Sequence, residues 1–445
     1  MINRLKLAAW VFVFSIAGTA QEVEFTQYTL DNGLDVILHK DNSAPVVATT
    51  VMYHVGAKNE DPDRTGFAHF FEHLLFEGTE NIEKGEWFKI VSSNGGTNNA
   101  TTNDDRTYYY DIFPSNNLEL GLWMESERMM HPTIDQQGVE TQNEVVKEEK
   151  RLRVDNAPYG NLLTQVKKHL FEKHPYRWST IGSMEHLDAA TLEEFLAFYD
   201  KYYVPNNATL VVAGDIDIDE TKELVKAYFG PIEKGEAVPQ ITIKEEPITK
   251  EKHATYTDPN IQIPAVALAW RTPSMKSRDA YVLDMISTLL SDGKSSRLYK
   301  KLVDDQKQAL QIGAFNLAQE DYGMYIVFGL PMGQTALDTL VSEIDEEIKR
   351  LQTEPISKRE YEKLQNIFEN RFVNSNSSIE GIAGSLATYN ELYGDTDLIN
   401  EEIEIYRSIT REDIQRVAKK YLNPNQRLVL DYLPEQPSGQ STSKE

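Results

Sequence analysis

The sequence predicts an α+β protein of two homologous domains, each an antiparallel-rich sheet with helices packed mainly on one face. Three observations carry this expectation. At 445 residues the chain exceeds what one hydrophobic core usually serves. Two segments about 220 residues apart repeat one pattern of amphipathic helix, Pro-Asn turn and apolar strand. Within the first half, strands cluster around hairpin turns while helices come in runs, which is not a βαβ alternation.

The first 20 residues read as a signal peptide. Arg4 and Lys6 precede a short apolar run, Leu7 to Ile16, and Ala17-Gly18-Thr19-Ala20 offers small residues for cleavage before Gln21. The run is too short for a membrane span, and no later stretch approaches 18 uncharged apolar residues. The mature chain is therefore expected to be exported, to the periplasm or the cell exterior. It has no Cys, which excludes disulfides and lipoprotein attachment. The formal charge is −25, so a phosphate backbone is a poor partner and nucleic acid is not expected.

In the domain expected over residues 21–232, strands are predicted at Gly33–Lys40 and Val46–Val55, then helices at Arg64–Glu77 and Lys84–Ser93. A hairpin follows, Thr97–Thr102 and Arg106–Phe113, turned at Asn103-Asp104-Asp105. Long helices then fill Asn117–Met130 and Asp135–Asn156. Tyr108 to Tyr110, Tyr199, Tyr202 and Tyr203 read as core and interface aromatics.

The repeat is seen in Leu192–Gly214 (LEEFLAFYDKYYVPNNATLVVAG) against Arg411–Tyr432 (REDIQRVAKKYLNPNQRLVLDY), and in Pro45–Met52 against Pro264–Trp270. Residues 233–252, rich in Glu, Lys, Pro and Ile, read as the linker, with Ile241-Thr242-Ile243 able to add an edge strand. The second domain is expected over 253–436. The tail 437–445, PSGQSTSKE, is polar and expected to be disordered.

His69-Phe70-Phe71-Glu72-His73 lies in an apolar helical run, GFAHFFEHLLFEG. Positions i and i+4 lie about 40° apart and one turn apart, so both imidazoles reach one ion, and Glu72 at i+3 faces the same spot. Neutral imidazole and carboxylate suit zinc, although two His and one carboxylate also accept Mn or Co. A carboxylate beside such an ion suits a general base. Burying these groups on an apolar face without an ion would cost free energy.

His-x-x-Glu-His is the inverted zincin signature. With GFAHFFEHLLFEGTEN, GGTNNATT and QNEVVKEEKRLRVDNAPYG around it, the sequence resembles the pitrilysin and mitochondrial-processing-peptidase family across the mature chain. The resemblance implies one Zn²⁺ held by His69, His73 and a Glu about 76 residues further on a separate helix, which falls on Glu149, with Glu72 as base. Glu148 is the neighbouring competitor, about 100° around the helix. A further acidic residue common seven positions before that ligand is replaced here by Gln142, so any orienting role would rest on an amide. Asn94 to Thr102 resembles the family's substrate-binding edge strand, with Asn99 and Ala100 against the substrate backbone.

The second half lacks the metal motif; its one His is His253. Family members that act supply an Arg and, seven residues on, a Tyr from this half to stabilise the oxyanion. The matching positions hold Val303 and Leu310, which cannot donate; Arg297 and Tyr299 match a different, structural part of the pattern. The resemblance therefore implies a metalloendopeptidase, acting on peptides or unfolded segments in a chamber formed by a dimer. The expected partner is a homologous subunit carrying the Arg-Tyr pair, with a homodimer as rival. The alternative is a non-catalytic or partner-dependent metal-binding subunit.

Overall fold

The computed structural model describes residues 22–435. The expected signal peptide and the polar tail lie outside the described residues. The first half contains β1 (Thr26–Thr29), β2 (Asp35–Lys40), β3 (Val46–Tyr53), α1 (Phe67–Leu74), α2 (Trp87–Ser93), β4 (Thr97–Thr102), β5 (Thr107–Pro114), α3 (Leu118–Met130), α4 (Gln136–Lys150), α5 (Leu162–Leu170), α6 (Met184–Ala189), α7 (Leu192–Tyr202), β6 (Ala208–Gly214) and α8 (Ile218–Phe229). The second half contains β7 (Lys252–Asp258), β8 (Ala265–Thr272), α9 (Arg278–Ser291), β9 (Ala309–Leu317), β10 (Gly323–Pro331), α10 (Leu337–Thr353), α11 (Lys358–Ser375), α12 (Ile379–Thr388), α13 (Leu398–Ser408), α14 (Arg411–Tyr421) and β11 (Arg427–Pro434).

The duplication is carried by topology. The first sheet runs β1-β2-β6-β3-β5-β4 and the second β7-β11-β8-β10-β9, so the second repeats the first without β1. Each sheet is antiparallel except for one parallel pair, β2 with β6 and β7 with β11. The repeated segments also match in local chemistry. Thr191 with Glu194 and Thr410 with Asp413 close capping boxes on α7 and α14, which satisfy otherwise unpaired N–H groups at the helix starts. Pro205 and Pro424 then open the short 3₁₀ turns into β6 and β11.

Strand alternation divides each sheet into two apolar faces. In the first, Val36, Leu38, Val51, Leu210 and Val212 face the first half's own helices, including Phe195 and Phe198 of α7. The opposite face, with Ile37, Ala48, Met52, Val211 and Ala213, is covered by Ile382, Ala383 and Leu386 of α12 from the second half. The second sheet mirrors this. Val266, Leu268 and Val327 face its own helices, and Ala267, Ala269 and Ile326 lie under Val166 and Leu170 of α5 from the first half. Sequence patterning assigned helices mainly to one face of each sheet; the other face is covered by a helix exchanged between halves. Tyr109 and Tyr203 are core residues, as their context suggested.

Two expectations are corrected. Residues 241–243 form no edge strand. Pro239 and Pro247 flank them without N–H donors, and the linker is instead pinned by Glu245, whose carboxylate accepts from the N–H groups of Glu172, Lys173 and His174 at 2.8, 2.6 and 2.7 Å. The helix expected to reach Asn156 leaves α geometry at Lys150 and continues as a π turn, Arg151–Asp155, closed by Asn156 N–H donating to the Arg151 carbonyl at 2.8 Å.

The halves are also latched by charge. Lys58 Nζ, 3.0 Å from Asp105 in its own half, lies 2.6 Å from Glu320 of the other half. His54 sits between Glu320, 2.7 Å away, and Glu391, 3.2 Å away. Burial alone would lower the His54 pKa, but these two carboxylates outweigh it and raise it from 6.5 to about 9. Protonated His54 therefore stabilises the fold fully below its unfolded-state pKa, and that contribution is lost as pH rises through about 9. The loss is on the order of 3 kcal/mol. Urea unfolding at roughly pH 6 and pH 10 checks this: wild type should lose about that much more stability than His54→Gln. Equal losses in the two proteins would show that the latch does not titrate.

Candidate metal centre

The centre is built on the eight residues of α1. Phe67, Phe70, Phe71 and Leu74 are buried in the first core, where Phe67 and Phe70 stack on Phe195 with centroids 4.5 and 4.6 Å apart. The remaining face carries His69, Glu72 and His73. The helix begins at Gly66, in a left-handed conformation (φ 104°) that glycine adopts without strain. Gly66 has no side chain to cap the helix. The buried Glu60 carboxylate does so from a distance, accepting from the N–H groups of Gly66 and Ala68, both at 2.9 Å. At the other end Arg128 Nη1 donates to the Leu75 carbonyl at 2.9 Å, and Tyr109 donates to the Phe71 carbonyl at 2.8 Å.

The third group arrives on α4, which Asp135 caps by accepting from Gly138 N–H at 2.7 Å. Val139 and Val146 bury one face of this helix. Glu149, one turn past Val146 on α4, turns its carboxylate to the histidines. Glu149 Oε2 lies 3.5 Å from His69 Nε2 and 3.1 Å from His73 Nε2. One ligating atom from each of the three residues lies within 4.8 Å of the others. Glu148 points away and pairs with Arg151 at 3.1 Å, so the structure brings together Glu149 and not its competitor.

The donor set fits a divalent ion. Glu149 Oε2 is buried without a properly directed hydrogen-bond partner in the protein, a cost that coordination at this cluster would offset. Burial, reinforced by the neighbouring His73, lowers the His69 pKa to about 4, so its imidazole is neutral, the form that binds metal. Burial raises the Glu72 pKa above the usual carboxylate range, opposed by the nearby Thr102 hydroxyl and His73.

The other sequence candidates fall in three places. β4 is the free edge of the first sheet, with Asn99 opposite Tyr110 and Ala100 opposite Tyr109 on its paired side. Ala100 is buried in the core and Asn99 is exposed. Gln142 does not hydrogen-bond to the three clustered residues; its amide donates to Glu77, which also pairs with Lys84 at 2.6 Å. Val303 sits in a second π turn, Tyr299–Asp305, and Leu310 is exposed on β9, the edge strand that corresponds to β4. Arg297 bonds to Glu347 and Glu360, a structural pairing.

Sequence reasoning missed Glu60, Thr102 and Arg153. Arg153 extends from the π turn to Glu149 Oε1 at 2.9 Å, and its i+4 spacing from Glu149 was the available signal. Thr102 shares a β4 face with Ala100 by simple alternation, which places its buried hydroxyl beside Glu72. Glu60 carries no local signal.

Comparison with known proteins agrees with this architecture. Residues 35–183 match the family model "Insulinase (Peptidase family M16)", and residues 189–368 match "Peptidase M16 inactive domain". The chain is 31% identical over 404 residues to zinc protease PqqE of Helicobacter pylori, covering 89% of this chain and 90% of that one. It is 24% identical to the uncharacterized zinc protease YmxG of Bacillus subtilis, covering 91% and 97% of the two chains. The crystal structure of a protease from Helicobacter pylori superposes with a TM-score of 0.88 at 29% identity, over 93% of this chain and all of that one. The periplasmic protease PqqL from Escherichia coli shares the fold at 18% identity and a TM-score of 0.75; the match covers 93% of this chain and 48% of that one.

Chelator-stripped protein should gain stability on adding zinc, by about 2.7 kcal/mol at a free concentration one hundred times Kd. His73→Ala should remove most of that gain. Thermal unfolding with and without zinc measures both, and an unchanged wild-type transition would mean that the cluster holds no zinc.

Proposed function

This chain belongs to peptidase family M16, the insulinase family, and we propose that it is a zinc-dependent metalloendopeptidase of peptides or unfolded segments. The observation that carries this reading is the convergence of His69, His73 and Glu149 within 4.8 Å, on the same side of α1 as Glu72. The two imidazoles and the carboxylate hold one Zn²⁺. When bound, zinc supplies Lewis-acid polarisation of the scissile carbonyl and makes water easier to deprotonate.

The protein groups do the rest. Glu72 takes a proton from the attacking water and returns it to the leaving amine. Partial burial raises its pKa, which improves it as a proton donor in the second step while leaving it able to accept in the first. The free β4 edge receives an extended substrate as one more strand, through the main chain at Asn99 and Ala100. Such pairing reads backbone, so selection falls on extension and size more than on sequence. Gln142 supports α1 through Glu77 without orienting a metal ligand directly.

Oxyanion donors are lacking at Val303 and Leu310, so a homologous partner subunit supplies an Arg-Tyr pair and closes a chamber over the site. A homodimer with other donors is the rival arrangement. The mature chain works outside the cytoplasm; among the described residues no helix is long and apolar enough to cross a membrane. A second reading, a metal-binding subunit without turnover of its own, is favoured by the missing donors alone. Retention of both His, Glu72 and Glu149 opposes it.

Glu72→Gln should keep its zinc and lose kcat by a factor on the order of 10²–10⁴ on a quenched fluorescent peptide library. A mutant that cleaves as well as wild type would remove Glu72 from the mechanism. If wild type holds zinc and cleaves nothing, purification from the native host decides between the two readings. A stoichiometric second polypeptide that restores cleavage supports the heterodimer, and a complex that still cleaves nothing supports the non-catalytic subunit.

A further inference from the structure

We infer that Glu60 is a positioning residue for the metal centre, setting the axial rotation and height of α1 by gripping the N–H groups of Gly66 and Ala68. The inference rests on the metallopeptidase reading above. Both oxygens are used, Oε2 by Gly66 and Oε1 by Ala68, each at 2.9 Å. Two N–H donors facing two oxygens call for a carboxylate, because an amide would turn one acceptor into a donor. Glu60 is buried, and α1 has no local cap. Burial pushes the Glu60 carboxyl well above the usual carboxylate range, opposed by these two N–H groups.

Geometry makes this cap a functional matter. α1 is only eight residues long, and Ala68, whose N–H is held, directly precedes His69. The first turn therefore fixes where both imidazoles and the Glu72 carboxylate project. The segment around the cap is itself braced. The Thr65 hydroxyl lies 2.8 Å from His186 Nδ1, and Gly182 approaches Gly66 so closely that a Cβ there would lie 2.4 Å from the Gly66 Cα. Glu60 itself closes the 3₁₀ turn Ala57–Asn59, its N–H donating to the Ala57 carbonyl at 3.3 Å, and that turn is tied to the β4–β5 turn by the Ala57 N–H donating to the Asn103 carbonyl at 3.1 Å, so its carboxyl group passes that position to α1. A misplacement of about 1 Å at reacting groups can cost on the order of 10² in rate.

The test is zinc affinity by chelator competition, with kcat and KM in parallel, for wild type, Glu60→Gln and Glu60→Asp. Asp keeps the carboxyl group and withdraws it by one methylene. Both variants should weaken zinc binding about tenfold and lower kcat about tenfold, with KM within about twofold, in the range seen when groups behind metal ligands are altered. Ile344→Ala, in the second core far from α1, serves as a control for lost stability alone and should leave Kd and kcat unchanged. If Glu60→Gln does not fold, Glu60→Asp is read alone. Variants that are less stable but match wild type in zinc affinity and kcat overturn the positioning role and leave the peptidase reading intact. A wild type that binds no zinc overturns both.

Discussion

Everything at the candidate centre depends on one short helix being held at both ends by buried polar side chains. Helices expose unpaired N–H groups at their start and carbonyls at their end, and an eight-residue helix has few internal hydrogen bonds to hold its shape. Here the Glu60 carboxyl group meets the N-terminus through both oxygens, and a guanidinium, Arg128, meets the C-terminus, where the helix dipole favours a cation. Buried charges are costly unless fully partnered. Arg128 meets that condition with both oxygens of Glu125, at 3.1 and 3.2 Å, and with the ring faces of Trp87, Tyr109 and Phe76 at 4.1, 4.3 and 4.5 Å. Asp111 lies in the same cluster; burial and the neighbouring Glu125 push its pKa well above the usual carboxylate range.

The same dependence on distant parts recurs at the level of the halves. Each sheet has two apolar faces, and the helices of its own half cover only one of them. Exchange of α5 and α12 solves this symmetrically, since α5-α6-α7-β6 and α12-α13-α14-β11 are the same succession of elements in the two repeats. The latch around Lys58 and His54 then joins the β4–β5 turn to the β9–β10 turn. β4 is the candidate substrate edge, so its orientation is tied to a half that holds none of the clustered metal-binding groups.

These features explain what could be read from sequence and what could not. The His-x-x-Glu-His spacing specifies a shared helix face by geometry alone, and the structure keeps that face. The hairpin strands were legible because Asn103 makes its turn locally, its side chain accepting from the N–H groups of Asp105 and Arg106. The repeat was legible because the capping Thr, the turn Pro and the apolar strand keep their order. Glu60 was not, because a carboxylate that caps a helix from six residues upstream, across an irregular loop, has no periodicity. The second faces of the sheets were hidden for a related reason: alternation says that a face is apolar but not which helix covers it. The π turn after Lys150 replaces part of a pattern that is compatible with continued α-helix.

The two kinds of ligand are not equally constrained. His69 and His73 share α1, and their relation is set by helix geometry, with ring centroids 4.9 Å apart. Glu149 comes from α4, whose position follows from packing of Val139 and Val146 and from its cap at Asp135. Its outer oxygen is occupied by Arg153, a mobile-length side chain that reaches from a π turn and is 76% exposed. An exposed ion pair of this kind contributes little by itself. The metal, when bound, would therefore do for Glu149 what Glu60 and Arg128 do for α1, fixing a group that the protein alone leaves weakly held. It follows that metal binding and the docking of α4 on α1 reinforce each other, since an ion that binds only the assembled cluster stabilises the assembled form.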